Sequence, residues 1–340
     1  QPSLVDFFVY YFYLFFMPRP LIAENYGDYI SISKENVVLK NKETIESVPF
    51  KELSYIVIKG SYISFSSALI LRCLKNEKPI ILLDDLGRPY SVIKSLVRSG
   101  GIKEQQSDFS NHRKSASFVS KILKDKIRRQ HQVLHYHIRS LRLNDGKEIK
   151  MLEGYDFKHF LKSFDSLIKR KLPVRKISQD IFLAEARSSR AYWKVFLKLF
   201  PKISFPGRQK RNSKDAINKL LNYGYALLSS LVLKTLVLVG LDPTVPFLHH
   251  REGLTFPFVF DLMEPFRPIN DHIVISFLHK QKKEIIGRNG EIRKSVLRRF
   301  RKFWFKEIGE FQPWSKNKRS AEKLIEEFIG KYKKSANIRI

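Results

Sequence analysis

The prevailing hydrophobic period shifts along this chain, and that shift constrains its fold more than any other feature. Up to about Val97, one helical stretch apart, apolar residues alternate or come in short β-branched runs. Beyond Ser99-Gly100-Gly101 they recur with helical spacing. Side chains alternate across a strand and return every 3.6 positions on a helix, so the two patterns cannot share one element type. Tyr29-Ile30-Ser31-Ile32-Ser33 alternates. Val37-Val38-Leu39 leads into a turn at Asn41-Lys42, and Thr44 to Val48 and Tyr55 to Ile58 are further strand runs. Ser66 to Lys75 has helical spacing, with Leu69, Ile70, Cys73 and Leu74 on one side. Pro79 to Leu83 reads as a buried strand stopped by Asp84-Asp85 and Gly87.

The second part reads as helix after helix. Lys114 to Arg142 places Phe118, Ile122, Ile127, Val133 and Leu134 on one stripe, and Asp145-Gly146 ends the run. Tyr155 to Lys171 and Ser178 to Phe200 follow. Pro201 to Ser213 is a loop, Ser213-Lys214-Asp215 opens a helix to Val239, and Gly240 is its C′ stop. A Pro-rich stretch from Asp242 to Pro257 precedes helices from Phe260 onward. The expected fold class is α+β and multidomain. A small N-terminal β-sheet domain spans residues 17–99, and a larger all-α-helical domain spans 100–340 and ends in a basic tail.

Leu4 to Phe16 is almost wholly aromatic and aliphatic, but it contains Asp6 and is shorter than the ~20 apolar residues that span a bilayer. It lacks the basic start and small-residue cleavage site of a signal peptide. The expectation is a start at Met17, with residues 1–16 an upstream in-frame extension or fragment end. A membrane anchor and an extra strand are the alternatives.

Charge follows the same division. Residues 1–99 hold 12 Lys+Arg and 10 Asp+Glu, a net of +2, whereas the remainder holds 51 and 23, a net of +28. A strongly cationic half binds polyanions through counterion release, and nucleic acid fits better than a membrane surface. The single cysteine, Cys73, excludes a disulfide scaffold and a thiolate metal cluster, and suits a reducing intracellular compartment.

No Walker loop, no GxGxxG and no HExxH motif occurs, and Gly287 and Gly290 read as a turn. Acids are scarce in the basic half, so Asp261 and Glu264 in D-L-M-E stand out. At i,i+3 on a helix they would share a face and repel unless a cation lay between them; equally, they could be a solvated helix start. His249 lies 12 residues before Asp261, in a loop where a structural histidine is the simpler reading. Glu185 sits near Arg187 and Arg190, either of which could be its salt-bridge partner. A Glu, His and Glu/Asp set suits Mg²⁺ or Mn²⁺ and phosphodiester chemistry. His131 and His135 are also i,i+4, but read as a polar helix face.

Several strings, in order from Met17, resemble the CRISPR-associated protein one family, the DNA integrase and endonuclease of spacer acquisition. They are M-P-R-P-L-I, V-I-K-G-S-Y-I-S-F-S-S-A-L, E-A-R-S-S-R-A-Y-W (Glu185 to Trp193) and R-N-S-K-D-A-I-N-K-L-L-N-Y-G-Y-A-L-L (Arg211 to Leu228). G-L-D-P-T-V-P-F-L-H (Gly240 to His249) and F-D-L-M-E-P-F-R-P (Phe260 to Pro268) complete the set. Pro246 stands where the family has Gly.

The resemblance implies a divalent metal, Mg²⁺ or Mn²⁺, on Glu185, His249 and Glu264, with Asp261 a supporting acid. It implies transesterification by a DNA 3′-hydroxyl, double-stranded DNA as partner, a homodimer formed through the β domain, a small companion subunit, and a prokaryotic cytoplasmic location without membrane. Arg187, Arg190, Arg208 and Arg211 are the candidate phosphate contacts. Tyr192 and Trp193 are expected in the core, Asn222 and Tyr223 remain ambiguous, and His272 is expected to be structural. A solo casposon-type transposase of the same family and a non-catalytic DNA-binding scaffold are the alternatives.

Overall fold

The structure, a computed structural model, describes residues 19–85, 87–95, 101–111, 113–141, 145–169, 174–201, 205–210, 213–245, 255–280, 285, 292–310 and 320–338. The chain divides into two compact units. One runs through residue 98 and includes Val237–Gly240; the other comprises Ser99–Leu236 and the chain from Leu241. A β-sheet region followed by a mostly helical one agrees with the expected fold class.

The first unit holds two four-stranded sheets. In the first sheet β1 (Arg19–Ala23), β5 (Leu53–Lys59) and β7 (Ile80–Leu83) run parallel, and β8 (Pro89–Ile93) closes the edge antiparallel. β5 is an inner strand buried on both faces, which is why its sequence is a continuous apolar run instead of an alternation. The second sheet has the order β4-β3-β2-β6, from β2 (Tyr29–Ser33), β3 (Asn36–Lys40), β4 (Ile45–Pro49) and β6 (Ser64–Phe65). Ile30, Val37 and Val48 of this sheet join Leu53, Ile56 and Ile80 of the first in one core.

Helix α1 (Ser67–Lys75) adds Leu69 and Cys73 to that core, and Ser66 caps it by accepting the Leu69 amide at 3.3 Å. Asp28 fastens the β1–β2 connection. It is fully buried and accepts the Glu24 and Asn25 amides and the Asn41 side-chain amide.

The second unit is helical: α2 (Ile102–Asn111), α3 (Arg113–Ser140), α4 (Asp145–Leu152), α5 (Phe157–Lys169), α6 (Val174–Lys198), α7 (Ala216–Leu238), α8 (Pro257–Met263), α9 (Arg267–Lys280), α10 (Lys294–Gly309) and α11 (Ala321–Ser335). α7 is long and apolar enough to cross a membrane, but 89% of its apolar window is buried inside the protein, as befits a core helix. It starts at Ala216, not Ser213, because Asp215 caps it by accepting the Asn218 amide at 2.8 Å.

Gly224 lets α7 approach α9. A Cβ there would lie 1.9 Å from Asn270 Oδ1, and Asn270 is pinned by the Trp304 indole at 2.9 Å. The buried stripe of α3 includes Val119, Leu123, Lys126, Gln130, Val133 and His137, spaced alternately four and three apart. Three of those six are polar: Lys126 and Gln130 line the cleft described below, and His137 pairs with His272.

Candidate active site

Glu185 and Glu264 meet at a single cation. Lys126, on α3, bonds Glu185 Oε1 and stands 2.8 Å from Glu264 Oε2. The contact with Oε2 is an ion pair instead of an aligned hydrogen bond. Ser189, one turn beyond Glu185 on α6, donates to the same Oε1 at 2.6 Å. Arg267 Nε closes the set at 2.8 Å from Glu264 Oε1.

The local fold explains this convergence. Pro265 interrupts the helical ladder, so α8 passes through a single 3₁₀ turn, Glu264–Phe266, into α9. α3 clamps that turn. Arg129 donates to the Pro265 carbonyl at 3.1 Å and lies over the Phe266 ring at 4.8 Å, while Lys126 takes Glu264.

Burial opposes the Lys126 ammonium, but the Glu264 and Glu185 charges outweigh it and push its pKa to about 12. Burial also works against ionised Glu185, yet Lys126 overcomes both burial and the repulsion of Glu264, holding its carboxyl below the usual range. Lys126 is therefore a fixed positive charge beside the ionised Glu185 carboxylate, with Glu264 paired to the same ammonium.

They line a cleft of about 300 Å³ that also includes Trp193, Arg208, Tyr225 and Asp271. Asp271 accepts both the Tyr192 hydroxyl, at 2.9 Å, and the Tyr225 hydroxyl. Burial pushes its pKa up to about 6, against the two hydroxyls and the charges of Arg208 and Arg267. Arg208 bonds Asn218 and Asn222 and lies over the Tyr225 ring at 5.2 Å.

The other candidates fall as follows. His249 and Arg211 lie outside the described residues. Asp261 does not line the cleft with Glu264; it is fully buried, and its charge adds to burial in raising the Tyr332 phenol of α11. Arg187 and Arg190 are exposed, and Arg187 lines a separate groove between α5 and α6.

Tyr192 is in the core, whereas Trp193 is half-buried and lines the cleft. Asn222 holds Arg208, and Tyr223 packs on Phe300. His131 stacks on Phe157, with ring centroids 3.7 Å apart, and its ring centroid is 6.0 Å from that of His135. His272 shares a hydrogen bond with His137 at 2.9 Å.

Sequence reasoning missed Lys126, Arg267 and Asp271. A signal for the first existed, since a lysine interrupting the apolar stripe of α3 must find a partner when buried.

Two carboxylate oxygens around one cation position are a hard-donor pair of the kind that suits Mg²⁺ or Mn²⁺. Among the described residues no group of three His, Cys, Asp or Glu side chains is placed to hold a metal ion. A third such donor would have to come from outside them, where His249 lies.

Comparison with known proteins shows what the chain as a whole is similar to. The family profile described as "CRISPR associated protein Cas1" matches residues 21–295. A CRISPR-associated endonuclease Cas1 from Francisella tularensis subsp. novicida is 28% identical over 267 residues, 78% of this chain and 80% of that protein. A solved casposase bound to integration product has a TM-score of 0.75 at 20% identity, covering 93% of this chain and 89% of that one. A CAS1 protein from Thermotoga maritima has a TM-score of 0.70 at 15% identity, covering 94% and 97%.

Proposed function

The chain belongs to the CRISPR-associated Cas1 family, and from that premise we propose that it is a metal-dependent DNA integrase and endonuclease that inserts short DNA fragments into a CRISPR array. The observation that carries this reading is the convergence of Glu185 and Glu264 on one cation position in a cleft of the cationic helical unit.

The reaction exchanges one phosphodiester for another. The 3′-hydroxyl of the incoming fragment bonds to phosphorus as a backbone P–O bond of the target breaks, so no high-energy cofactor is consumed. With water in place of the hydroxyl the outcome is a nick. Glu185, His249 and Glu264 would hold a divalent Mg²⁺ or Mn²⁺, which would supply Lewis acidity to the phosphate and offset its developing charge. Ser189 and Arg267 fix the two carboxylates, so little reorganisation is required of them. Asp261 supports the site indirectly, by position within α8.

Arg208 lines the cleft and is the phosphate contact nearest the reacting groups. Arg187 and Arg190 meet DNA further along α6, and Arg211 follows Arg208 three residues on in sequence. The partners are double-stranded DNA, a second copy engaged through the β-sheet unit, and the small companion subunit that the family resemblance implies, in a prokaryotic cytoplasm. The casposase fold match supports a second reading, integration on behalf of a mobile element. Gene neighbourhood separates the two.

The test is joining of a short duplex to a supercoiled plasmid in Mn²⁺, in EDTA, and with 3′-dideoxy ends. Joining that requires both the metal and the 3′-hydroxyl supports the reading. Tight DNA binding with neither joining nor nicking, in the presence of the companion subunit, contradicts it.

A further inference from the structure

We infer that Lys126 is the cation that holds the Glu185–Glu264 pair while no divalent ion is bound, and that it must leave this place for the ion to enter. The inference rests on the reading that these carboxylates are metal ligands. It goes beyond it by giving the metal a competitor built into the fold.

The geometry makes the two occupants exclusive. One atom, Lys126 Nζ, is bonded to Glu185 Oε1 and lies 2.8 Å from Glu264 Oε2. Mg²⁺ approaches its oxygen ligands to about 2.1 Å, so an ion shared by the same two oxygens would fall on the ammonium. The charges agree with this. Glu185 and Glu264 supply two negative charges; Lys126 and Arg267 neutralise them. Adding a divalent ion with Lys126 in place would leave the cluster strongly positive in a poorly solvated site.

Arg267 is not the group that yields. It reaches Glu264 through the other oxygen, Oε1, and is held over the Tyr225 ring at 5.0 Å. Lys126 has a flexible four-carbon stem and lines a cleft whose walls also include Gln130 and Asp271. In the metal-free protein the ammonium keeps two like charges together, so the pair is assembled before the ion arrives.

The experiment is Mn²⁺ binding to the full chain, read from the electron paramagnetic resonance signal of free Mn²⁺, for wild type, Lys126→Met and Glu264→Gln. Alongside it, acetic anhydride labelling of Lys126 in the wild type is measured by mass spectrometry with and without Mg²⁺. The expected results are loss of binding in Glu264→Gln, about tenfold tighter binding in Lys126→Met, equivalent to ~1.4 kcal/mol, and several-fold faster labelling of Lys126 with Mg²⁺.

If Glu264→Gln binds Mn²⁺ like wild type, or wild type does not bind it, the ligand assignment fails and the inference with it. If Glu264→Gln loses binding but folded Lys126→Met binds no tighter than wild type, the ligand assignment stands and the inference is overturned. Should Lys126→Met fail to fold, the wild-type labelling decides: a rate indifferent to Mg²⁺ overturns the inference.

Discussion

Arg267 Nε lies 2.8 Å from Glu264 Oε1, one turn further along the chain. The interaction ties the first turn of α9 to a carboxylate at the end of α8, across the Pro265 interruption. Arg267→Ala removes the cation at Glu264 Oε1 while Lys126 stays at Oε2, and is expected to cost about 1–3 kcal/mol. Arg267→Lys restores charge but not the fork and recovers part of the loss. Urea midpoints at pH 7 check both, and an unchanged midpoint in Arg267→Ala would show that the pair contributes nothing.

Two glycines make opposite predictions. Gly224→Ala drives a Cβ to 1.9 Å from Asn270 Oδ1. Asn270 is fully buried and held by Trp304, so it cannot swing aside, and a loss of about 1–3 kcal/mol is expected. A Cβ at Gly330, within α11, meets nothing within 4 Å. Gly330→Ala should gain up to about 1 kcal/mol from helix propensity. Thermal melts of the two variants should move in opposite directions.

The buried histidine pair sets an acid limit. His137 Nε2 and His272 Nδ1 share one hydrogen bond at 2.9 Å, which needs one donor and one acceptor and so at least one neutral ring. Burial, then the neighbouring His272, pushes His137 down to about 2; burial pushes His272 down to about 4. The unfolded chain protonates both near 6.5, so the pair's stabilisation is whole above about pH 6.5 and is lost as pH falls towards 4.

Asp271 runs the other way. Its pKa is raised from 3.8 to about 6, so the folded state gains a proton in that window and gains stability as pH falls. Two histidines outweigh one aspartate, at about 1.4 kcal/mol per pH unit per net proton. Wild type should lose stability between pH 7 and 5. A His137→Leu/His272→Leu variant should lose less, and an equal loss in both would contradict the assignment.

Cys73 is the only cysteine and is fully buried. Burial pushes its thiol up to about 11, despite Lys78 and Arg72 nearby. At neutral pH it should therefore react with a thiol reagent only as fast as the β-sheet unit opens. Reaction at the rate of a free thiol in native buffer would contradict the packing.

The division into a β-rich part and a helical part was legible because strand patterns prevail before Ser99 and helical spacing after it, and α1 showed as the one helical stretch in the first part. β8 escaped notice because Pro89 and the exposed Tyr90 leave a short edge strand little alternation. Of the candidate site, Glu185 and Glu264 could be named because acids are scarce in a basic half. That they would meet could not be read, since the meeting depends on α3 packing across the 3₁₀ turn at Pro265. Lys126 was hidden for the same reason. On paper it is one of 63 basic residues, and only its place on a buried stripe distinguishes it. Asp261 shows the limit of spacing arguments: three residues from Glu264, it is buried outside the cleft, and its charge acts on Tyr332.

In the proposed function, Glu185, His249 and Glu264 hold the ion needed for joining while the basic surface holds DNA. The most direct measurement is Mn²⁺-dependent joining by folded Glu185→Ala, His249→Ala and Glu264→Ala, with DNA affinity measured in parallel at fixed salt. The account predicts that each variant loses on the order of 100-fold or more in joining and binds DNA within a few-fold of wild type. Joining at the wild-type rate in any of the three, or loss of DNA binding in step with joining in all three, would contradict it.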